Sequence, residues 1–321
     1  MLKNFSQEFN TLKYVIEEAD SILLWAHTRP DGDSTGSVLA MQEYIHSLGK
    51  KVTIGCFDAL PDYLAVIAGP EKFLKPKEIT FSDYKLIIAC DSVDRGFHLV
   101  RDKFSEDQVI AILDHHPDIK TSSDIKIIDP NYSSVCEIVY DFFVFNKIHI
   151  TQKIADFVLT GILYDTGKFQ HSNTSAKVME ISSELVRKGA HLQKISTLLF
   201  DSKDICTLKL WGRTFEKAKV NLENGMIVSA LTQLDISECG ANSEDISQLA
   251  SILNTVPNTK FSLILYERGD GIIKGSLRSE AYKGVDVSQI AAQFGGGGHK
   301  LASGFEVQGK IVETKNGWEI K

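Results

Sequence analysis

This 321-residue sequence lacks paired cysteines. Its five cysteines (Cys56, Cys90, Cys136, Cys206, Cys239) are odd in number and widely spaced. No two form a Cys-x-x-Cys pair, which excludes a zinc knuckle and a dithiol redox motif. They read as small buried hydrophobes in a reducing compartment. Long apolar runs are missing too: none approaches the roughly 18–20 residues a membrane span needs. Met1 to Glu8 has no secretory apolar core, so a cytoplasmic location with no membrane partner is expected. Basic charge is in short supply, with 35 Lys and Arg against 42 Asp and Glu and a net charge of −7. That balance argues against a broad electrostatic footprint on long duplex nucleic acid. A small or short phosphorylated ligand stays open, because divalent cations and a few arginines can handle phosphate locally. Internal repeats, low-complexity tracts and a Gly-x-x-x-x-Gly-Lys-Ser/Thr phosphate loop are absent. At 43% hydrophobic and 24% charged residues, the chain reads as a soluble globular protein long enough for two domains.

Four apolar stretches stand out against that background. Ser21 to Ala26 leads into His27, with Asp31 and Asp33 close behind. Lys85 to Cys90 leads into Asp91, Val109 to Leu113 into Asp114-His115-His116, and Val158 to Tyr164 into Asp165. The first three have the length and composition of buried parallel strands. The fourth closes a helical pattern over Thr151–Leu163 and reads as a helix end. Phe5, Phe9, Leu12, Val15, Ile16 and Ala19 repeat at helical spacing and predict an opening amphipathic helix. A helix is predicted from Ser34 to Leu48, stopped by Gly49. Strands are predicted over Lys51–Phe57 and Ile125–Ile128, and a helix over Ser134–Phe145. Such alternation predicts a parallel sheet with helices on both faces. Ligands of such sheets bind beyond the carboxyl ends of the strands.

After about Ser175 the pattern changes. Ala176 to Phe200 is helical with a break near Gly189, and 201–219 continues as helix. Strands follow over Met226–Leu231, Lys260–Glu267 and Gly271–Leu277. A short helix, Val287–Phe294, then runs into Gly295-Gly296-Gly297-Gly298-His299. The expected fold is therefore α/β. A parallel-sheet domain spans 1–190, a helical connector 191–219, and a smaller α/β domain 220–321.

Each cluster has a bland reading beside a chemical one. His27-Thr28-Arg29-Pro30-Asp31-Gly32-Asp33-Ser34 sits at a strand-to-helix turn. Asp31 and Asp33 can point two carboxylates at different metals, or Asp33 or Ser34 can simply cap the next helix. Asp91 and Asp165 can each be a cap, or a ligand; a carboxylate at a central strand end can bridge two cations. Two adjacent histidines after a buried strand seldom serve packing. One can ligate a metal while its neighbour donates a proton or contacts phosphate. Together His27, Asp31, Asp33, Asp91, His115 and Asp165 form a carboxylate- and imidazole-rich set without thiolates. Such ligands suit Mn²⁺, with Mg²⁺, Co²⁺ or Zn²⁺ as competitors. Two ions about 3.5–4 Å apart would form a phosphoryl-hydrolysis site. His46, His98, His149, His171 and His191 have no comparable company and read as surface or core histidines, His171 least so because it lies close to Asp165 in sequence. Gly295–His299 permits close backbone approach, and consecutive amides can bind anions; a flexible helix exit is the alternative. The adjoining Lys300 and the upstream Ser276-Leu277-Arg278-Ser279 favour substrate binding.

The four clusters, in this order, resemble the DHH phosphoesterases. Gly295–His299 followed by Lys300-Leu301-Ala302-Ser303-Gly304 resembles their DHH-associated C-terminal domain. Within the family the resemblance is to the short bacterial subgroup called nano-RNase, and it spans nearly the whole chain. It implies hydrolysis of short oligoribonucleotides to mononucleotides, and of 3′-phosphoadenosine 5′-phosphate to AMP, with two divalent metal ions, Mn²⁺ foremost. By the same resemblance His27 and Asp31 hold the first metal, Asp33, His115 and Asp165 the second, and Asp91 bridges them. His116 lies beside the scissile phosphate and Asp114 supports the histidines. Arg278 and His299, with the glycines Gly295, Gly296, Gly297 and Gly298, hold the distal part of the substrate. Arg95, Ser133 and Ser134 match family stretches that contact substrate. The manganese pyrophosphatases of the superfamily carry a different C-terminal motif. Its long exonucleases and membrane-tethered cyclic-dinucleotide phosphodiesterases carry extra segments not found here.

Two other readings stay open. One is a phosphodiesterase dedicated to linear dinucleotides such as pApA or pGpG. The other is a nucleotide-binding regulator without turnover, which the complete ligand set disfavours. A homodimer is compatible with the sequence but has no signature in it.

Overall fold

A computed structural model describes residues 3–93, 95–116, 121–201, 204–241, 246, 249–314 and 317–321. They belong to two compact units, Met1–Ser202 and Lys203–Lys321.

The first unit is built on β1 (Ser21–Trp25), β2 (Lys51–Gly55), β3 (Phe73–Leu74), β4 (Leu86–Cys90), β5 (Val109–Asp114) and β6 (Ile125–Ile128). The order is β3-β2-β1-β4-β5-β6, and every pairing is parallel. All five residues of β4 are buried, and four of the five in β1. Strands covered on both faces read as unbroken apolar runs, which is why these were legible. The helices are α1 (Ser6–Glu18), α2 (Gly32–Ser47), α3 (Asp62–Ala68), α4 (Val135–Phe145), α5 (Gln152–Asp165), α6 (Ala176–Arg187) and α7 (Leu192–Ser196). In α1 the buried residues are Phe9, Leu12 and Ile16, each contributing roughly 1.5–3 kcal/mol by leaving water.

One expectation needs correction. Among the described residues, α-helices cover one face of this sheet, and short 3₁₀ turns cover the other. On that side Ile22, Leu24, Ile88, Cys90 and Leu113 pack with residues of α1, α2, α4 and α5. On the other, Leu23, Trp25, Ile87, Ala89 and Ile112 meet Phe81, Phe97, Val100 and Phe104. Phe81 and Phe97 sit in short 3₁₀ turns. Aromatic rings at 5.3 to 6.1 Å between centroids fill this layer. Bulky side chains on short turns bury apolar area much as a helix would.

Close helix contact sets the shape of the covered side. A Cβ on Gly36 of α2 would come 2.4 Å from the Phe157 carbonyl oxygen of α5. One on Gly32 would come 2.5 Å from Tyr164 Cβ. Glycine at these positions lets α2 approach α5 closely, against its backbone at Gly36 and a side chain at Gly32.

The second unit contains α8 (Ile205–Glu216), β7 (Lys219–Asn221), β8 (Met226–Leu231), α9 (Gln233–Glu238), α10 (Leu249–Leu253), β9 (Phe261–Glu267), β10 (Ile272–Ser279), α11 (Val287–Ala292), β11 (Gly297–His299) and β12 (Ala302–Gln308). These strands form a mixed sheet in the order β11-β12-β10-β9-β8-β7, in which β8 and β9 alone are parallel. A hairpin of β13 (Ile311–Thr314) and β14 (Gly317–Ile320) follows. Leu210 of α8 packs in this unit's core with Ile227 and Ile264. Among the described residues, no helix is long and apolar enough to cross a membrane.

Candidate metal centre

Strand order reverses between β1 and β4, since the chain builds outward from β1 to β2 and β3 and then returns to the other side. Such a reversal leaves a crevice beyond the carboxyl ends. His27 follows β1, Asp91 follows β4, and Asp114 to His116 close or follow β5. Asp165 arrives from the end of α5, and Asp31 and Asp33 from the start of α2. Among the described residues, three groups of potential ligand atoms gather there, each within 4.8 Å: His27, Asp31 and Asp91; Asp33, His115 and Asp165; Asp91, His115 and His116.

The distances are those of side chains aimed at common points. His27 Nε2 lies 3.1 Å from Asp31 Oδ2 and 3.5 Å from Asp91 Oδ2. His115 Nε2 lies 3.2 Å from Asp165 Oδ2 and 3.9 Å from Asp91 Oδ1. Yet His27 Nε2 and Asp91 Oδ1 are buried and make no hydrogen bond among the described residues. They approach their neighbours without the alignment a hydrogen bond requires. Buried polar atoms left unsatisfied are costly, and lone pairs converging on one point suit a cation. The donor set, imidazole and carboxylate without thiolate, fits a divalent metal ion.

Local hydrogen bonds choose which atom faces inward. His27 Nδ1 pairs with the Thr28 carbonyl oxygen at 2.5 Å, and the His27 amide donates to Ser34 Oγ at 2.9 Å. That leaves Nε2 for the centre. His115 Nδ1 faces the Tyr132 carbonyl oxygen at 3.3 Å, with the same effect. Asp31 divides its work: Oδ1 caps α2 by accepting from the Asp33 and Ser34 amides, and Oδ2 faces His27. The cap is therefore Asp31, rather than Asp33 or Ser34, and α2 begins at Gly32. Asp33 is fully buried, and its oxygens accept from the Val135 and Cys136 amides at 2.7 and 2.8 Å.

Asp114 turns toward His116. Its Oδ1 accepts from the His116 amide and Nδ1, both at 2.9 Å, and it is absent from the three ligand groups. His116 Nδ1 also lies 3.2 Å from Asp91 Oδ1. Arg95 stands at the rim, its side chain 44% exposed and Nη1 4.0 Å from Asp31 Oδ2.

The electrostatics follow from this crowding. Burial opposes charge on His27, but the Asp31 and Asp91 carboxylates outweigh it and hold the pKa up at about 9. Burial likewise opposes charge on His116, and Asp114 and Asp91 outweigh it, again at about 9. Burial, then Asp165 and Asp91, push Asp33 up. Burial would raise Asp31, yet His27 brings it down to about 2. Clustered carboxylates that hold protons on their histidines mark a site short of positive charge.

The other expected site residues occupy different settings. Ser133 and Ser134 are buried. Ser133 donates to Glu137 Oε2 through its amide and hydroxyl, and Ser134 Oγ caps α4 by accepting from the Glu137 amide. In the second unit, Arg278 and His299 both pair with Ala302, from opposite sides. Paired residues share a face, so these two lie on one face of the sheet, about 10 Å apart across two strand spacings. Part of Gly295–His299 belongs to the sheet. Gly297 to His299 form β11, and a Cβ on Gly296 would strike the Gly304 carbonyl oxygen at 2.2 Å. Gly295 and Gly298 have φ of 75° and 137°.

Several contributors escape a reading of the sequence. A Cβ on Gly161 of α5 would come 2.6 Å from Asp33 Oδ1 and 2.2 Å from Cys136 Sγ. Asn173 Nδ2 donates to the carbonyl oxygens of Ser133 and Asp165. His171 Nδ1 lies 3.0 Å from that same Asp165 oxygen. Two residues here left a signal: Glu137 in the Ser-x-x-Glu spacing from Ser134, and His171 in its closeness to Asp165 along the chain.

Comparison with known proteins places this arrangement. Residues 21–162 match the model of the DHH family, N-terminal domain, and residues 223–315 that of the DHHA1 domain. A Thermus thermophilus protein named bifunctional oligoribonuclease and PAP phosphatase NrnA is 28% identical over 299 residues, covering 90% of this chain and 84% of its own. A Bacillus subtilis protein of the same name is 26% identical over 293 residues, covering 90% of both. The crystal structure of an exopolyphosphatase-related protein from Bacteroides fragilis matches with a TM-score of 0.87 at 26% identity, covering 95% of this chain and 92% of that one. With both domain models matched in order, and with imidazole and carboxylate gathered at the strand ends, the chain carries a DHH family N-terminal domain followed by a DHHA1 domain.

Proposed function

We propose that this protein hydrolyses short oligoribonucleotides to mononucleotides, and 3′-phosphoadenosine 5′-phosphate to AMP, with two divalent cations, Mn²⁺ foremost. The observation that carries the reading is the convergence of His27, Asp31 and Asp91 beside Asp33, His115 and Asp165 at the switch point of the sheet. The names of the similar proteins from B. subtilis and T. thermophilus supply the substrate class.

In this reading His27 and Asp31 would hold one ion, Asp33, His115 and Asp165 would hold the other, and Asp91 would serve both. Such a pair, when bound, supplies Lewis acidity: it neutralises phosphoryl charge and makes water a nucleophile at neutral pH. The chain's own groups do the rest. An ionised Asp114 only accepts, so it keeps a proton on His116 Nδ1 and fixes the ring. His116 then assists the leaving oxygen as a general acid. Arg95 meets phosphate at the rim, and Arg278 and His299 contact the distal part of the substrate. Glycines Gly295 to Gly298 allow close backbone approach there. Net charge of −7 suits a short substrate recognised locally.

A substrate panel with Mn²⁺ tests this. Dinucleotides through pentanucleotides should yield mononucleotides, and 3′-phosphoadenosine 5′-phosphate should yield AMP. Asp91→Ala should lower both activities at least about 10²-fold. The reading fails if the wild type with Mn²⁺ leaves dinucleotides and 3′-phosphoadenosine 5′-phosphate intact.

A further inference from the structure

Three of the candidate ligands are braced from behind by one short stretch, Tyr132 to Glu137. The Tyr132 carbonyl oxygen faces His115 Nδ1 at 3.3 Å. The Val135 and Cys136 amides donate to Asp33. The Ser133 carbonyl oxygen accepts from Asn173 Nδ2 at 3.1 Å, and the same nitrogen donates to the Asp165 carbonyl oxygen at 3.2 Å. His27 and Asp31 are braced differently, by Thr28, Ser34 and the first turn of α2.

A charge cluster in turn grips this stretch. Ser133 donates twice to Glu137 Oε2, at 2.8 Å each. Glu137 is buried, and its other oxygen lies 3.2 Å from Lys177 Nζ on α6. Lys177 also donates to Asp141 Oδ2 at 2.5 Å, an oxygen that accepts from the Tyr132 hydroxyl at 2.7 Å. The ammonium sits over the Tyr132 ring, 4.7 Å from its centroid. One cation therefore meets Glu137, Asp141 and Tyr132 together, and these three hold both ends of the bracing stretch. Polar partners behind metal ligands orient them and tune affinity. The Lys177 ammonium, a compact charge with three donors, can serve all three directions.

We propose that Lys177 is a positioning residue for Asp33, His115 and Asp165. Through Glu137, Asp141 and Tyr132 it fixes the backbone that aims these ligands, and so sets the affinity of one divalent cation without touching its neighbour. The inference rests on the two-metal reading above.

Titration of the metal-free full chain with Mn²⁺ by calorimetry tests it, with melting temperatures of the metal-free proteins recorded alongside. The wild type should take up two ions. In Lys177→Met one binding constant should weaken about 10–100-fold while the other stays within about twofold. Lys177→Arg keeps the charge and should recover most of the loss. Because Lys177→Met strands the buried Glu137, Lys177→Met/Glu137→Gln is the second variant, and it should show the same one-site loss. Two ions bound with both constants unchanged in both variants would overturn the role of Lys177. So would equal weakening at both sites in step with a lower melting temperature, which marks a residue needed for folding alone. A wild type that binds fewer than two ions overturns the two-metal reading and this inference with it.

Discussion

Asp91 has a φ of 51°, in the left-handed region, and is 3% exposed. A non-glycine residue held there costs about 1–3 kcal/mol, and such strain persists where surrounding structure enforces it. Here the enforcing structure is β4, whose Cys90 pairs with Leu113 while the Asp91 amide donates to the Leu113 carbonyl oxygen at 3.0 Å. The backbone turns at that point and aims the carboxylate at three histidines. His116 is the residue whose role is most open to test, since its Nδ1 faces both Asp114 and Asp91. As a general acid, its replacement in His116→Ala should lower kcat about 10²–10⁴-fold and leave Mn²⁺ uptake unchanged. Steady-state kinetics beside a metal titration separate this from ligation, which would weaken uptake as well. The residue types at this site were legible because each follows an apolar run. Their division of labour was not: the cap was expected at Asp33 or Ser34, whereas Asp31 does both jobs, one oxygen capping α2 and the other facing His27.

At the scale of elements, the centre depends on how closely α5 lies against α2 and α4. Gly161 is the tightest point, because a side chain there meets both Cys136 and Asp33. Gly161→Ala should destabilise the fold by about 1–3 kcal/mol through overpacking and weaken Mn²⁺ binding by displacing the Asp33 carboxylate. A denaturation midpoint together with a metal titration reads both effects. A stability loss with unaltered metal binding would mean that Asp33 re-forms its place. Nothing in the sequence around Gly161 marks it, since a glycine within an apolar helix pattern has no distinctive spacing. The 3₁₀-turn face was equally hidden. Phe81, Phe97 and Phe104 follow no period, so their burial against the sheet appears only once the chain is folded.

At the scale of the molecule, pH is the most direct probe of the crowded carboxylates. His27 and His116 have pKa values raised from 6.5 to about 9. A group raised in the fold contributes stability that is complete below its unfolded value and is lost as pH rises through the folded one. The metal-free protein should therefore lose melting temperature between pH 6.5 and about 9. Asp33 and Asp165, also pushed up by burial, act in the same direction. A bound cation must displace the protons on its own ligands, His27, Asp33 and Asp165 among them, while His116 keeps its proton. Apparent Mn²⁺ affinity should accordingly rise over the same window, by about tenfold per pH unit for each proton displaced. Calorimetry in buffers of different ionisation enthalpy would count the protons. A flat melting curve and a flat affinity would show that the histidines are neutral in the metal-free fold.

Taken alone, the sequence determined the parallel-strand runs, the residues that end them, and the glycine-rich tract of the second unit. Burial on both faces of a strand leaves an unbroken apolar record, and a side chain that interrupts it is visible by contrast. Only the tertiary structure decided that β1 and β4 adjoin, so that His27 and Asp91 share one crevice. It also decided which nitrogen of each histidine faces inward, and that Lys177 reaches back to Glu137 and Asp141. Periodicity records whether a residue is covered, not by what. Partners distant in the chain are chosen by packing geometry, which a local pattern does not encode.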